Sequence, residues 1–442
     1  MVKFKMLDIK NVLILFCVFI TACMGPIYKE DVKQDKDIAI NRDIEDSVVE
    51  VDVSLKKEEP SSEVKKEKDK IQEKQLLQKD ITSEEIKLNK EITDLKIKEK
   101  YFSDELIKIG LLIPLSGSAK EIGASIYNAS EMAMFESKAK NIVLLPRDTG
   151  DSIESAVNAA QALEKEGVSI LIGPLFSSHS KAIREKISLD IPIFSFTNDE
   201  SIIRNGIWSF GFSPQQQIQA VIKEIKENSI NNIAIIIPNT AYGQVAMQTI
   251  KLEQAKTNIH IKKVFKYIPE SKDLSYLNES SGLSKNIDYE GILILASGRQ
   301  LREIASRVQF IGVDPKKIKF FGLSGWNSTS IFGEPSLYGG SFVATDHTAY
   351  EAFVSRYHKI YGNWPSEVSA LGYDIVALCA FLLNKAEKQS DITSLAMNAD
   401  GFKGLFGFFK LGANGKIYRK YISYKVMERS FLKKREIMPE ID

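Results

Sequence analysis

The sequence predicts an α/β protein whose body is two successive modules, each a parallel sheet flanked by helices. Three observations predict it. Short apolar runs alternate with amphipathic stretches from Lys108 to Phe194, the mark of βαβ units. The same rhythm restarts at Ile233, after a Trp208–Phe210 segment and a helical stretch at 215–228. Near the end, two apolar runs flank Ala413-Asn414-Gly415, and an Asn-Gly pair between apolar strands is a hairpin signal.

Taken in order, Lys108–Pro114 (KIGLLIP) is the first strand. A helix at 119–139 follows, carrying Ile122, Ile126, Ala129, Met132, Ala133 and Phe135. Then come a strand at Ile142–Leu145, a helix at 152–165, a strand at Val168–Ile172, a helix at 179–188 and a strand at Ile191–Phe194. The second module runs through a strand at Ile233–Ile237, a helix at 243–254, a strand at Ile259–Tyr267 and a helix near 273–285. It continues with a strand at Gly291–Leu295, a helix at 299–310 and a strand at Ile318–Phe321. Helices at 349–361 and 367–386 come next, and a hairpin of Gly407–Leu411 and Ile417–Val426 closes the fold.

The region before this body is of another kind. Lys3, Lys5 and Lys10 precede the apolar run 12–22, VLILFCVFITA, about half the ~20 residues a spanning helix needs. That is the layout of a secretory signal peptide. Ile20-Thr21-Ala22-Cys23 resembles a bacterial lipobox, which implies removal of residues 1–22 and lipidation of Cys23. Residues 23–104 read as a charged tether, disordered or partly helical. From Ser62 to Asp80, eleven of nineteen residues are charged, too many for a packed core. As a flexible coil, roughly 80 residues span on the order of 50 Å; fully extended they reach roughly 260 Å. Met24, not aspartate, follows the cysteine, so no inner-membrane retention signal is evident.

Composition narrows the chemistry. The 442 residues carry a net charge of +1, which gives no prior for nucleic acid. Cys17, Cys23 and Cys379 cannot make a disulfide framework; Cys379 lies in an apolar run and reads as a buried thiol. The four histidines show no metal-ligand spacing, and no cofactor motif is present. Phe321–Trp326, FGLSGW, misses the Gly-x-Ser-x-Gly spacing of a hydrolase elbow. No catalytic set stands out.

Small polar clusters instead recur where apolar runs end. Pro114–Ser118, with Ser116 at its centre, follows the first strand. Gly173–Ser178 follows the third, Ser195–Asn198 the fourth, and Asn239–Gly243 the first strand of the second module. Each suits a helix cap or a tight turn. Open parallel sheets also bind ligands at these strand ends, so a shared cleft is the other reading.

Several stretches resemble a known family. Ile109–Gly117 (IGLLIPLSG), Gly173-Pro174-Leu175, Asp190-Ile191-Pro192, Ala241-Tyr242-Gly243 and Leu371-Gly372-Tyr373-Asp374 look like the type I periplasmic-binding-protein fold of the leucine/isoleucine/valine-binding group. Trp208–Ala220 (WSFGFSPQQQIQA) and Ile236–Gln244 (IIPNTAYGQ) are similar to the C-terminal domain of penicillin-binding-protein activator lipoproteins, the LppC or LpoA-like family. The resemblance implies two lobes, 107–230 plus 345–430 and 231–344, joined by three crossovers. It implies a non-catalytic lipoprotein, anchored at the outer membrane and facing the periplasm, that binds and activates a class A penicillin-binding protein in peptidoglycan synthesis. The alternative is a solute-binding receptor for an amino acid or small peptide of an ABC importer, to which a tether of this reach would be of little use. Carried over by motif, Ser177 would face a ligand's backbone, Ser195 and Thr197 would hold its carboxylate or amino group, and Tyr242 would close on it from the second lobe. The transport proteins' acidic partner for the ligand amine has no match in Leu323–Asn327. Asp374 reads as a helix-start or structural residue.

Overall fold

The computed structural model describes residues 106–440, except 138, 140, 204–205, 276, 279–281, 387–390 and 399. The expected signal peptide, Cys23 and the charged tether lie outside the described residues.

Lobe 1 opens with β1 (Ile107–Ile113), α1 (Lys120–Ser137), β2 (Ile142–Asp148), α2 (Ile153–Lys165), β3 (Val168–Ile172), α3 (Ser177–Arg184), β4 (Ile193–Ser195) and β5 (Ile207–Ser209). Its strands are ordered β2-β1-β3-β4-β5, all parallel. A parallel sheet covered on both faces needs strands apolar on both faces. Accordingly Ile109, Leu111, Leu112 and Ile113 of β1 are all fully buried.

The chain crosses at 210–213 into lobe 2: α4 (Pro214–Glu227), β6 (Asn232–Pro238), α5 (Ala241–Lys256), β7 (His260–Tyr267), β8 (Gly291–Ile294), α6 (Gly298–Phe310), β9 (Lys319–Gly322) and β10 (Ser341–Ala344). It returns at 345–347 to add α7 (Thr348–Tyr361), α8 (Glu367–Lys385), α9 (Asp391–Asn398), β11 (Phe402–Gly404), β12 (Gly407–Leu411) and β13 (Ile417–Arg419) to lobe 1. The helix α8 is long and apolar enough to cross a membrane by composition, yet most of it is buried. Its Leu371, Ile375, Leu378 and Cys379 pack with Ile126 and Met132 of α1. A third crossing, at Lys420, leads into β14 (Tyr421–Val426) and β15 (Phe431–Ile437). Both join the lobe 2 sheet, ordered β15-β14-β10-β9-β8-β6-β7, with β14 antiparallel to β10 and β15. The result is the expected two-lobed α/β fold with three crossovers.

Four expectations need correction. The stretch 214–230, placed in lobe 1 from sequence, belongs to lobe 2. Ile218, Val221, Ile222 and Ile225 of α4 share a core with Ile233, Ile235, Val343 and Ile437. Residues 421–430, also placed in lobe 1, pair with β10 instead. The closing hairpin is therefore split: β12 pairs with β13, and the rest of the second arm leaves for the other lobe. The helix near 273–285 does not form among the described residues. Asp273 accepts the Ser275 amide at 2.8 Å, a local turn that competes with helix, and Gly282 and Asn286 take positive φ. The elements β10 and α9 are too short, and β15 (FLKKREI) too polar, to be read from sequence.

Candidate functional site

The site is built where strands of lobe 1 end and helices begin. The β2 strand terminates in Asp148, whose Oδ1 accepts the amides of Leu115 (2.8 Å), Gly150 (2.9 Å) and Ser116 (3.2 Å). Burial pushes this carboxyl upward, but the Ser116 hydroxyl and those three amides outweigh it and hold the pKa below the usual range. Asp151 stands beside it. Its two oxygens accept the Ser118 amide at 3.1 and 3.0 Å, and Oδ1 accepts the Ser118 hydroxyl at 3.1 Å. In the loop after β4, Asp199 accepts the Ser201 amide at 2.9 Å, and the hydroxyls of Ser201 and Ser177 also favour its charged form. Burial works against its charge as well; these hydrogen bonds and the Lys181 charge prevail and lower its pKa.

The residues expected to line a cleft fall as follows. Ser116 is exposed and turned to Asp148. Ser177 opens α3, a helix with no side-chain cap. Ser195 is fully buried; its hydroxyl lies 2.8 Å from the Ser180 hydroxyl and donates to the Pro174 carbonyl at 3.0 Å. The Thr197 hydroxyl accepts the Asp199 amide at 3.1 Å. Thus Ser177, Ser195 and Thr197 come together in one corner of lobe 1. Tyr242 stands on lobe 2 in the first turn of α5, half-buried against that lobe's core, with Thr240 capping the Gly243 amide at 3.2 Å. Sequence reasoning missed Asp148, Asp151 and Asp199. The signal was there for two of them: Asp148-Thr149-Gly150-Asp151 is the same kind of polar cluster, at the end of the second strand.

The stretch WSFGFSPQQQ turns out to organise the hinge. Ser213 caps α4 by accepting the Gln216 amide at 3.2 Å. The Gln216 side chain donates to the Ile417 carbonyl at 2.8 Å and accepts the Arg419 amide at 3.2 Å, tying the first crossing to the third. The buried Arg419 guanidinium donates to the Phe210 carbonyl at 2.7 Å and lies 4.9 Å from the Phe212 ring centroid and 5.5 Å from that of Phe409, within cation–π range. Gln217 accepts the Ser324 hydroxyl at 2.7 Å. At the second crossing, Asn327 Nδ2 lies 2.8 Å from His347 Nδ1, and burial brings the His347 pKa down to about 4. Asp374 is a mid-helix residue of α8, not a helix start; its carboxylate accepts the Leu405 amide at 2.8 Å. Cys379 is a buried free thiol whose pKa burial raises. A groove of about 680 Å³ lies away from all of these, on the outer edge of lobe 1, between Ile142–Leu144 of β2 and Phe135 and Ile360 at the ends of α1 and α7.

Comparison with known proteins agrees with this geometry. The family model described as periplasmic binding protein matches residues 106–429. The penicillin-binding protein activator LpoA of Histophilus somni (strain 129Pt) is 24% identical over 327 residues, covering 71% of this chain and 52% of that protein; the strain 2336 protein gives the same figures. The chain thus spans about half the length of the curated relatives it matches. Among solved structures, a branched-chain amino acid ABC transporter periplasmic ligand-binding protein from Burkholderia xenovorans superposes with a TM-score of 0.59 at 16% identity, over 75% of this chain and 96% of its own. The leucine-binding protein LivK from Thermotoga maritima does so with a TM-score of 0.52 at 20% identity, over 76% and 99%. These share the fold. Two lobes of parallel strands, three crossovers and a family match spanning nearly all of the described body lead to one conclusion: this chain belongs to the periplasmic binding protein family.

Proposed function

We propose that this chain is a non-catalytic lipoprotein of the bacterial envelope, anchored through Cys23 in the outer membrane, that binds and activates a class A penicillin-binding protein from the periplasmic side. The observation that carries this reading is the similarity of 71% of the chain to LpoA, a penicillin-binding protein activator, over 327 residues. The hinge lends support, because the stretches that resemble the activator family hold the crossings between lobes. A charged tether at 23–104 would let the body meet a synthase away from its anchor.

The test is a polymerisation assay. A class A penicillin-binding protein is supplied with lipid II, with and without the full chain in detergent. Faster glycan polymerisation or cross-linking is expected; an unchanged rate at saturating chain would sink the reading.

A second reading has its own observation. The family and the structural likeness to leucine-binding proteins favour a solute receptor for an ABC importer, with Ser116, Ser177, Ser195, Thr197 and Tyr242 around an amino acid or small peptide. Saturable binding of one amino acid, with no effect on the synthase, would favour it over the first.

A further inference from the structure

Among the described residues the two larger sheets end in four edge strands, and three of these are guarded. β5 is three residues long and bridges to Lys416. β7 carries Lys262, Lys263 and Lys266, and β15 carries Lys433, Lys434 and Arg435; charge along an edge keeps further strands away. β2 opens on Ile142-Val143-Leu144-Leu145 instead. Two bonds at the ends of its ladder with β1 fix which way its peptide groups face. The Ile107 amide donates to the Asn141 carbonyl at 2.8 Å, and the Thr149 amide to the Ile113 carbonyl at 3.0 Å, with an unbroken register between them. In a parallel ladder every second residue turns its amide and carbonyl to the same neighbour, so the odd-numbered residues of β2 face β1. The amides and carbonyls of Ile142 and Leu144 therefore face outward, where no strand lies among the described residues. Pro146 ends this open stretch: it has no amide, and its carbonyl accepts Arg147 Nη1 at 2.8 Å.

Beside these outward groups lies the groove of about 680 Å³. The Ile142 and Leu144 side chains form one wall, on the face of the sheet packed against α1 and α7. Phe135 and Ile360, 88% and 61% exposed, stand on the other. An apolar strand edge with unpaired peptide groups is a template for a further strand. Among the described residues, the charged residues lining the groove are Glu131 and Glu136, both exposed on α1, and no basic residue lines it. Glu136 also accepts the Tyr373 hydroxyl at 2.5 Å and lies 3.6 Å from Arg356.

We propose that β2 is a docking edge for an extended segment of a partner protein, which adds to the lobe 1 sheet beside Ile142 and Leu144. The segment's backbone pairs with the outward peptide groups. Its alternate side chains enter the groove, apolar ones against Ile142, Leu144 and Phe135 and a basic one toward Glu131 or Glu136. Backbone pairing supplies the affinity and the alternate side chains supply the selection. The acidic wall selects a basic segment, because like charges brought together at an interface disfavour the wrong partner. A second copy of this chain fits less well, since pairing β2 with β2 brings two acidic walls to one edge. The inference does not rest on the activator reading.

The test is fluorescence anisotropy with the full chain in detergent and a labelled, capped heptapeptide, Lys-Thr-Val-Thr-Ile-Thr-Lys. In an extended conformation its lysines, valine and isoleucine share one face, so it can meet the groove in either direction. Saturable binding is expected at low ionic strength. The same peptide with glutamate for both lysines should bind about fivefold more weakly, the scale of exposed charge pairs. Leu144→Pro removes an outward amide and spares the ladder with β1; it should weaken binding at least about tenfold, the scale of a lost hydrogen bond. Phe135→Ser, at an exposed position, serves if the proline variant does not fold, as judged by circular dichroism, and a loss of the same sign is expected. No saturable binding by the wild type, equal affinity for the two peptides, or unchanged affinity in a folded variant overturns the proposal. So does sedimentation that finds the wild type dimeric and Leu144→Pro monomeric, which would make a second copy the occupant. None of these readouts uses a synthase, so their outcome and that of the polymerisation assay are independent.

Discussion

The two lobes begin alike and then part. In lobe 1 the chain leaves β1 through Pro114, and Gly123 in the first turn of α1 lies against it: a β-carbon there would sit 1.8 Å from the Pro114 carbonyl oxygen. In lobe 2 the chain leaves β6 through Pro238, and a β-carbon on Gly243 would sit 1.9 Å from the Pro238 oxygen. In each lobe the first strand leads into a helix pressed against that strand's end. They differ in how they bury a carboxylate. Glu224 of lobe 2 is fully buried, 2.6 Å from Arg435 and 3.5 Å from Lys434. Burial raises its pKa, but the Asn228 side chain, which donates to it at 2.8 Å, and the two cations bring the net value below the usual range. Asp374 of lobe 1 is nearly as buried, and burial pushes its pKa up to about 6, with the Leu405 amide and the Arg419 charge only partly opposing. At similar depth, the sign of the shift is decided by whether hydrogen bonds and cations reach the carboxylate at contact distance.

The shared beginning is the place where the largest effect is expected. Gly123→Ala and Gly243→Ala should each destabilise the protein by about 3 kcal/mol, since overpacking here meets backbone instead of a movable side chain. Denaturant midpoints measure this; one harmless alanine would break the equivalence of the two lobes. Next comes Arg435→Ala, which leaves Glu224 buried with Lys434 as its remaining cation. A loss of about 2 kcal/mol is expected, less than for a fully buried pair because Arg435 is partly exposed.

The smallest effect is one of pH. Asp374 has a folded pKa above its ordinary value of 3.8. The stability it contributes is full below that value and is lost as pH rises through about 6. Relative to wild type, Asp374→Asn should therefore gain stability as pH is raised across that window. Glu224 has a folded pKa below its ordinary 4.5, so its contribution is present above that pH and is lost on acidification. Relative to wild type, Glu224→Gln should gain as pH falls. Thermal melts across pH would show slopes of opposite sign, and equal signs would refute the contrast between the lobes.

Much of the fold was legible in the sequence. Alternating apolar runs and helical stretches gave the parallel sheets, and nearly every strand of lobe 1 ended within a few residues of its expected limit. The candidate site was half legible. Polar clusters at strand ends marked where loops gather, yet not that their hydroxyls would be consumed by Asp148, Asp151 and Asp199. A hydroxyl is written the same way whether its partner is a ligand or a neighbouring loop.

By itself, then, the sequence determined the class of the fold, the two successive modules and the position of the strand-end loops, because period, run length and turn chemistry are local properties. Only the tertiary structure decided which lobe owns α4 and the last two strands, since that depends on a sheet gathered from remote segments. It also decided the hinge, where Gln216 meets Arg419 across 203 residues of chain, and the fate of Ser195, whose hydroxyl lies 2.8 Å from that of Ser180 on α3. Those pairings follow from packing, which no local sequence pattern encodes.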